Sequence, residues 1–162
     1  MLFYEDFIKS ISSKNNIEMK KIEKFSVEAK RIVSGAGIGI PLILAGLFQS
    51  YLATIENIKV MPGVFALVFL FLGIKQLRTT FSYKVIVDTE KKILTGEKLV
   101  LSLNDIDSCT LEEKKIGKNL QVVLNIITVD RKQIIIPLYM KNKERFVLVM
   151  RSLLNKKFFI KK

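Results

Sequence analysis

The residues from Ile32 to Ile55 carry no charge: IVSGAGIGIPLILAGLFQSYLATI. After a short polar break, Glu56-Asn57-Ile58-Lys59, the chain is again uncharged from Val60 to Ile74, VMPGVFALVFLFLGI. An uncharged run beyond about 18 residues is hard to place in a small soluble core. It matches instead the roughly 20 helical residues that cross about 30 Å of hydrocarbon. The first run meets that length with room to tilt. The second is shorter, and Lys75 completes it by extending its amino group to the headgroups, which brings Gln76 and Leu77 into the span. Residues 32–77 are therefore read as a transmembrane helical hairpin, flanked by an N-terminal segment, 1–31, and a C-terminal domain, 78–162. Only the last is long enough for a core of its own.

The formal charge is +12, and its placement sets a topology. Lys9, Lys14, Lys20, Lys21, Lys24, Lys30 and Arg31 precede the first span, and Lys75, Arg78 and Lys84 follow the second. The connecting loop holds Lys59, offset by Glu56. Positive flanks are retained in the cytoplasm, so both termini are expected there and the loop 56–59 outside, in a multi-pass protein of the bacterial inner membrane. Lys20, Lys21, Lys24, Lys30, Arg31, Lys75, Arg78 and Lys84 are the candidate contacts to an anionic leaflet. No nucleic-acid recognition motif accompanies the charge, which argues against DNA or RNA as partner. The first apolar run starts too late and is too long for a signal-peptide core, so it is expected to remain as an anchor.

Within the first span, Gly35 and Gly39 form a GxxxG pair, and Ala45 and Gly46 continue the small surface. Such a surface lets another helix approach closely. The approaching helix is either the second span or that of a second copy in a homo-oligomer. Pro41 should kink the helix, and Tyr51 fits an interfacial anchor. Neither span holds an ionisable Asp, Glu, Lys or Arg, the groups that mark ion and proton pathways. That argues against a channel or transporter.

Residues 1–13 place Phe3, Tyr4, Phe7, Ile8 and Ile11 on one helical stripe. This helix lies in the membrane interface, packs on the C-terminal domain or is a frayed terminus. Asn15-Asn16 breaks it. Ile17 to Arg31, with Ile22, Phe25 and Ala29 at helical spacing, reads as a juxtamembrane helix or an extended lead-in. After Arg78 the pattern becomes β-like. Candidate strands cover Phe81–Asp88, Lys92–Thr95, Lys98–Leu103, Ile106–Lys115, Leu120–Val129 and Lys132–Leu138, joined by hairpin-length turns, as in an antiparallel sheet or barrel. A helix over about Lys141–Asn155 follows, with Phe146, Val149, Met150, Leu153 and Leu154 on its apolar stripe. The basic, aromatic tail 156–162 either touches the leaflet or ends frayed.

Short antiparallel strands closed by one C-terminal amphipathic helix are the element order of the pleckstrin-homology (PH) superfold. The stretches YKVIVD (83–88), KILTGE (92–97) and LSLNDI (101–106) resemble the opening of bacterial PH-like domains. Two spans directly before such a domain resemble the membrane-anchored PH-like proteins of the YdbS and YcxB kind. The resemblance covers Ile32 to about Leu154. It implies a membrane protein of α+β class, with a helical hairpin followed by a PH-like β-barrel or sheet capped by a helix. It implies no catalytic residue, metal or cofactor.

The residues point the same way. The chain has no histidine, which removes His-ligated metal sites and a Ser-His-Asp triad. Cys109 is the single cysteine and has no imidazole base to activate it. Asp105/Asp107 and Glu112/Glu113 read as solvated charge, and no phosphate-binding glycine loop is present. The expected function is non-catalytic: binding of a protein partner, not identified by the sequence, or of membrane lipids. An immunity protein against a membrane-active bacteriocin or contact-dependent toxin is the alternative, with Gly35, Gly39 and Ala45 as its contact surface.

Overall fold

A computed structural model describes residues 2–14, 17–55, 60–97, 99–117 and 119–161. The Asn15-Asn16 break and the polar loop 56–59 lie outside the described residues. In order along the chain the elements are α1 (Leu2–Ser13), β1 (Ile22–Ser26), α2 (Ala29–Ile55), α3 (Val60–Ser82), β2 (Lys84–Asp88), β3 (Ile93–Thr95) and β4 (Val100–Ser102). There follow β5 (Ile106–Ile116), β6 (Asn119–Thr128), β7 (Gln133–Pro137), α4 (Lys143–Leu154) and β8 (Phe158–Ile160). The class is α+β: two long apolar helices, antiparallel sheets and a C-terminal helix. Two compact units result, one made of residues 1–26 together with 84–162, the other of Val27–Tyr83.

The first unit holds two four-stranded sheets, ordered β1-β2-β3-β4 and β7-β6-β5-β8. Its boundary differs from the expected one. Residues 22–26 are not a juxtamembrane helix; of the two expected forms they take the extended one, and they pair as an edge strand, with Ile22 opposite Asp88 and Ser26 opposite Lys84. The physical reason is a period of two hidden under a helical one. Glu23 and Phe25 point inward while Ile22, Lys24 and Ser26 face out. Phe25 meets Phe146 of α4 edge to face, with ring centroids 5.0 Å apart.

The long β5–β6 pair is the spine of the second sheet, with a register shift between Ile106 and Ser108. The tail is not frayed: Phe158–Ile160 pairs in parallel with Cys109–Leu111, and Lys161 N donates to the Leu111 carbonyl at 2.9 Å. Buried residues from both sheets, among them Val87, Leu94, Ile106, Leu111, Leu124 and Ile126, make the core with Phe146, Val147, Val149 and Met150 of α4. Each such side chain contributes about 2 kcal/mol by leaving water.

Of the three states open to α1, the structure shows the helix packed on this unit. Tyr4, Phe7 and Ile11 are buried, and α1 lies against α4. The Tyr4 hydroxyl sits 3.0 Å from the Leu111 carbonyl and 2.6 Å from that of Lys161. This ties the first helix to the last strand pair.

Candidate membrane hairpin and its basic residues

The second unit is the helical hairpin. It starts earlier and ends later than residues 32–77. α2 has 27 residues and α3 has 23, so at about 1.5 Å per residue both exceed the hydrocarbon thickness. Both are long and apolar enough to cross a membrane. Only 17% of the most apolar window of α2 and 11% of that of α3 is buried. A core helix of a soluble protein would be mostly covered; here Leu44, Phe48, Val60, Leu67 and Phe71 stand open.

What is covered is the seam between the two helices, and glycine makes it. A Cβ placed on Gly35 would lie 2.1 Å from Thr80 Oγ1, one on Gly39 would lie 2.6 Å from Leu77 Cδ2, and one on Gly46 would lie 2.7 Å from Leu70 Cγ. From the other side, a Cβ on Gly73 would come within 2.9 Å of the Gly39 carbonyl oxygen. The backbones approach too closely there for any side chain. Gly73 was not singled out by the sequence reading. Its signal was present, since Ala66 and Gly73, the two buried residues of α3, are seven positions apart and so share one helix face. Ala45 is only partly covered, and Gly37 faces open space. With α3 seated on Gly35, Gly39 and Gly46, these glycines offer no free surface to a toxin or a second copy. Pro41 lies inside α2.

The candidate lipid-contact cations are spread over both units. Lys30, Arg31, Lys75 and Arg78 are exposed on the hairpin helices, and Lys75 Nζ stands 5.9 Å from the Phe71 ring centroid. In the sheet unit Lys20, Lys21, Lys24 and Lys84 are exposed. Lys24 and Lys84 share the outward face of neighbouring strands, one register step apart. Lys21 is paired with Glu90 at 2.9 Å.

The sheet unit also holds an ion pair that the sequence reading missed. Glu23 on β1 is 5% exposed. It accepts from Arg145 Nη2 at 2.5 Å and Nε at 3.1 Å, and from the Lys20 backbone N–H at 3.1 Å. Arg145 Nη2 also donates to the Glu18 carbonyl at 3.0 Å. The Arg145 hydrogen bonds hold the Glu23 carboxyl below the usual range against the opposing effect of burial. The pairing joins residues far apart in sequence, and nothing in the local pattern of either announces it.

The remaining candidate chemistry is placed as follows. Cys109 is buried on β5 and its thiol is pushed up to about 12 by desolvation. Asp105 and Asp107 are exposed. Glu112 accepts from Asn125 Nδ2 at 3.0 Å and lies 3.6 Å from Lys161 Nζ. Among the described residues no group of His, Cys, Asp and Glu could hold a metal ion. The sequence matches no protein-family model, and no curated protein matches it.

Proposed function

We propose that this chain is a non-catalytic protein of the bacterial inner membrane, anchored by α2 and α3, whose PH-like sheet unit binds a protein partner or an anionic lipid surface at the cytoplasmic face. One observation carries the reading: an apolar hairpin with uncovered outer faces is inserted between two strands, β1 and β2, that pair with each other. That residues 1–26 and 84–162 build one unit supports a topology with both ends of the hairpin on one side of the membrane. That agrees with the basic residues before and after it and with a cytoplasmic location for both termini. Two consecutive antiparallel meanders closed by a C-terminal helix support the PH-like reading of the sheet unit. Its exposed cations, Lys24 and Lys84, stand on strands that adjoin the hairpin in sequence and suit an anionic leaflet, each contributing about 1 kcal/mol when close to it. The only thiol is buried with a raised pKa, which favours binding over covalent chemistry.

The test has two arms. In isolated membranes the full chain resists alkaline carbonate extraction. In intact spheroplasts Asn57→Cys is labelled by an impermeant maleimide, whereas tags at both termini are not reached until the cells are lysed. Extraction by carbonate, or a tag reached from outside, overturns the membrane reading. For the binding role, affinity capture from native membranes compares the full chain with one in which the hairpin is replaced by a short turn. The same protein captured by both places recognition in the sheet unit; capture only by the full chain overturns that assignment.

A further inference from the structure

Polar side chains within α2 and α3 mostly satisfy themselves. Ser50 Oγ donates to the Gly46 carbonyl at 3.0 Å, Thr54 to Tyr51 at 2.7 Å, Thr79 to Lys75 at 2.9 Å, Thr80 to Gln76 at 2.9 Å and Ser82 to Arg78 at 2.7 Å. The Gln49 carboxamide makes no hydrogen bond with any described residue. It is partly exposed, on a strip with Leu42, Ala45 and Leu52 that is likewise only half covered. Spacings of three and four put these residues on one side of the helix, flanking the glycine seam.

The register of the hairpin fixes how deep Gln49 lies. Gly39 faces Leu77 and Gly73, and Gly46 faces Leu70. Lys75, the first charge on α3 after Val60, therefore stands near the level of Gly39. The charge-free length common to both helices runs from Gly39 to Ile55 on α2 and from Ile74 back to Val60 on α3. Gln49 falls within about one helical turn of its middle, and Tyr51, two residues on, is therefore deeper than the interfacial position that the sequence suggests for it. Ser34, also without a hydrogen bond to a described residue, lies beyond Lys75 and next to Gly35, which faces Thr80, at the charged end where water reaches it.

An amide in hydrocarbon without a partner is costly, and no water is there to relieve it. A carboxamide carries both a donor and an acceptor. Two of them related by a two-fold axis satisfy each other fully, each Nε2–H donating to the other Oε1, which is the self-complementary contact that a symmetric dimer needs. Ala45, one turn away on the same strip, keeps the approach close. We propose that a second copy of this chain docks on the Leu42–Ala45–Gln49–Leu52 strip, α2 against α2, through reciprocal Gln49 hydrogen bonds. This rests on the membrane reading, since in water the amide would simply be hydrated.

The experiment uses the full chain reconstituted in lipid vesicles, with association read by energy transfer between labelled copies as lipid is added. Wild type associates and dissociates on dilution. Gln49→Leu lowers the association constant by roughly tenfold, and Gln49→Asn recovers part of it. Ala45→Cys forms a disulfide-linked dimer under a membrane-permeant oxidant. Leu47→Cys, about 200° round α2 from Ala45 and exposed, does not, and the parent chain with its buried Cys109 gives the background. Equal association of Gln49→Leu and wild type overturns the proposal, as does an Ala45→Cys chain that links to other proteins and not to itself. Carbonate extraction of the same vesicles separates the two readings. A chain that is extracted fails as a membrane protein; a chain that is retained but monomeric fails only as a dimer.

Discussion

Ser26 and Lys84 face each other across one antiparallel ladder, although all of α2 and α3 lies between them in the chain. The hairpin therefore occupies the position of a strand-to-strand turn, and the sheet unit is assembled from sequence on both sides of it. In the membrane reading, β1 waits for both helices to be made before its partner strand exists.

This arrangement predicts which soluble piece folds. Residues 84–162 alone lack Phe25 and Ile11, which are 2% and 0% exposed, and they leave Arg145 without Glu23. Losing two such side chains removes about 4 kcal/mol of burial, much of the 5–15 kcal/mol typical of a whole domain. Joining residues 1–26 to 84–162 through Asn-Gly, a turn suited to a two-residue hairpin loop, restores all of it. The joined chain is expected to be soluble, with a cooperative thermal transition and dispersed amide resonances, and the 84–162 fragment to show neither. A fragment melting at the same temperature as the joined chain would refute the role of β1 and α1.

The hairpin seam predicts a contrast between two glycines. Gly73→Val puts a side chain where a Cβ already meets Ile43 Cγ1 at 2.7 Å and the Gly39 carbonyl oxygen at 2.9 Å. Backbone cannot move aside as a side chain can, so α2 and α3 must separate, at a cost of about 1–3 kcal/mol. Gly37→Ala meets nothing within 4 Å and should gain slightly from its better helix propensity. Thermal unfolding of the purified full chain in a mild detergent ranks them. Equal melting temperatures for the two variants would mean that the helices do not pack as described.

The Tyr4 hydroxyl gives a smaller effect. Tyr4→Phe keeps the ring and removes the hydroxyl that reaches the carbonyls of Leu111 and Lys161. The loss is about 1 kcal/mol, and it should appear first as faster amide exchange in β8, whose end this contact holds. Unchanged exchange at Phe159 and Ile160 would show that β8 stands without α1.

How much of this was legible in the sequence depends on whether the signal was local. The hairpin stood out because an uncharged run is a property of consecutive residues. The stripe of α1, the spine strands β5 and β6 and the stripe of α4 followed from periodicity. β1 did not, because Ile22, Phe25 and Ala29 also fit helical spacing and the strand's partner lies beyond the hairpin. β8 resembled a loose basic tail because only pairing with Cys109–Leu111 makes three residues a strand. α3 continues through Phe81 to Ser82, where β-branched and aromatic composition favoured an early start to β2; helix propagation from the span prevailed. Gly35, Gly39 and Gly46 are identifiable as close-packing residues from their spacing, but spacing alone does not say whether α3 or a second copy fills them.

The Glu23–Arg145 pair makes stability depend on pH with a definite sign. Arg145 hydrogen bonds lower the Glu23 pKa from its ordinary 4.5. The stabilisation is therefore complete above that value and is lost as pH falls through the lower folded-state value. Arg145→Met leaves Glu23 buried without its cation. Desolvation then raises its pKa, so the variant is penalised most at neutral pH and least in acid, where the carboxyl takes up a proton. At pH 7 the cost is about 2 kcal/mol. That is below the figure for a fully buried pair because the Arg145 side chain is 35% exposed and partly screened. Urea unfolding of the joined 1–26/84–162 chain checks this at pH 7 and again at about pH 3.5, a unit below the ordinary glutamate value. The gap between wild type and Arg145→Met should narrow on acidification. A gap that stays constant would assign the loss to packing of the arginine stem and not to the charge pair.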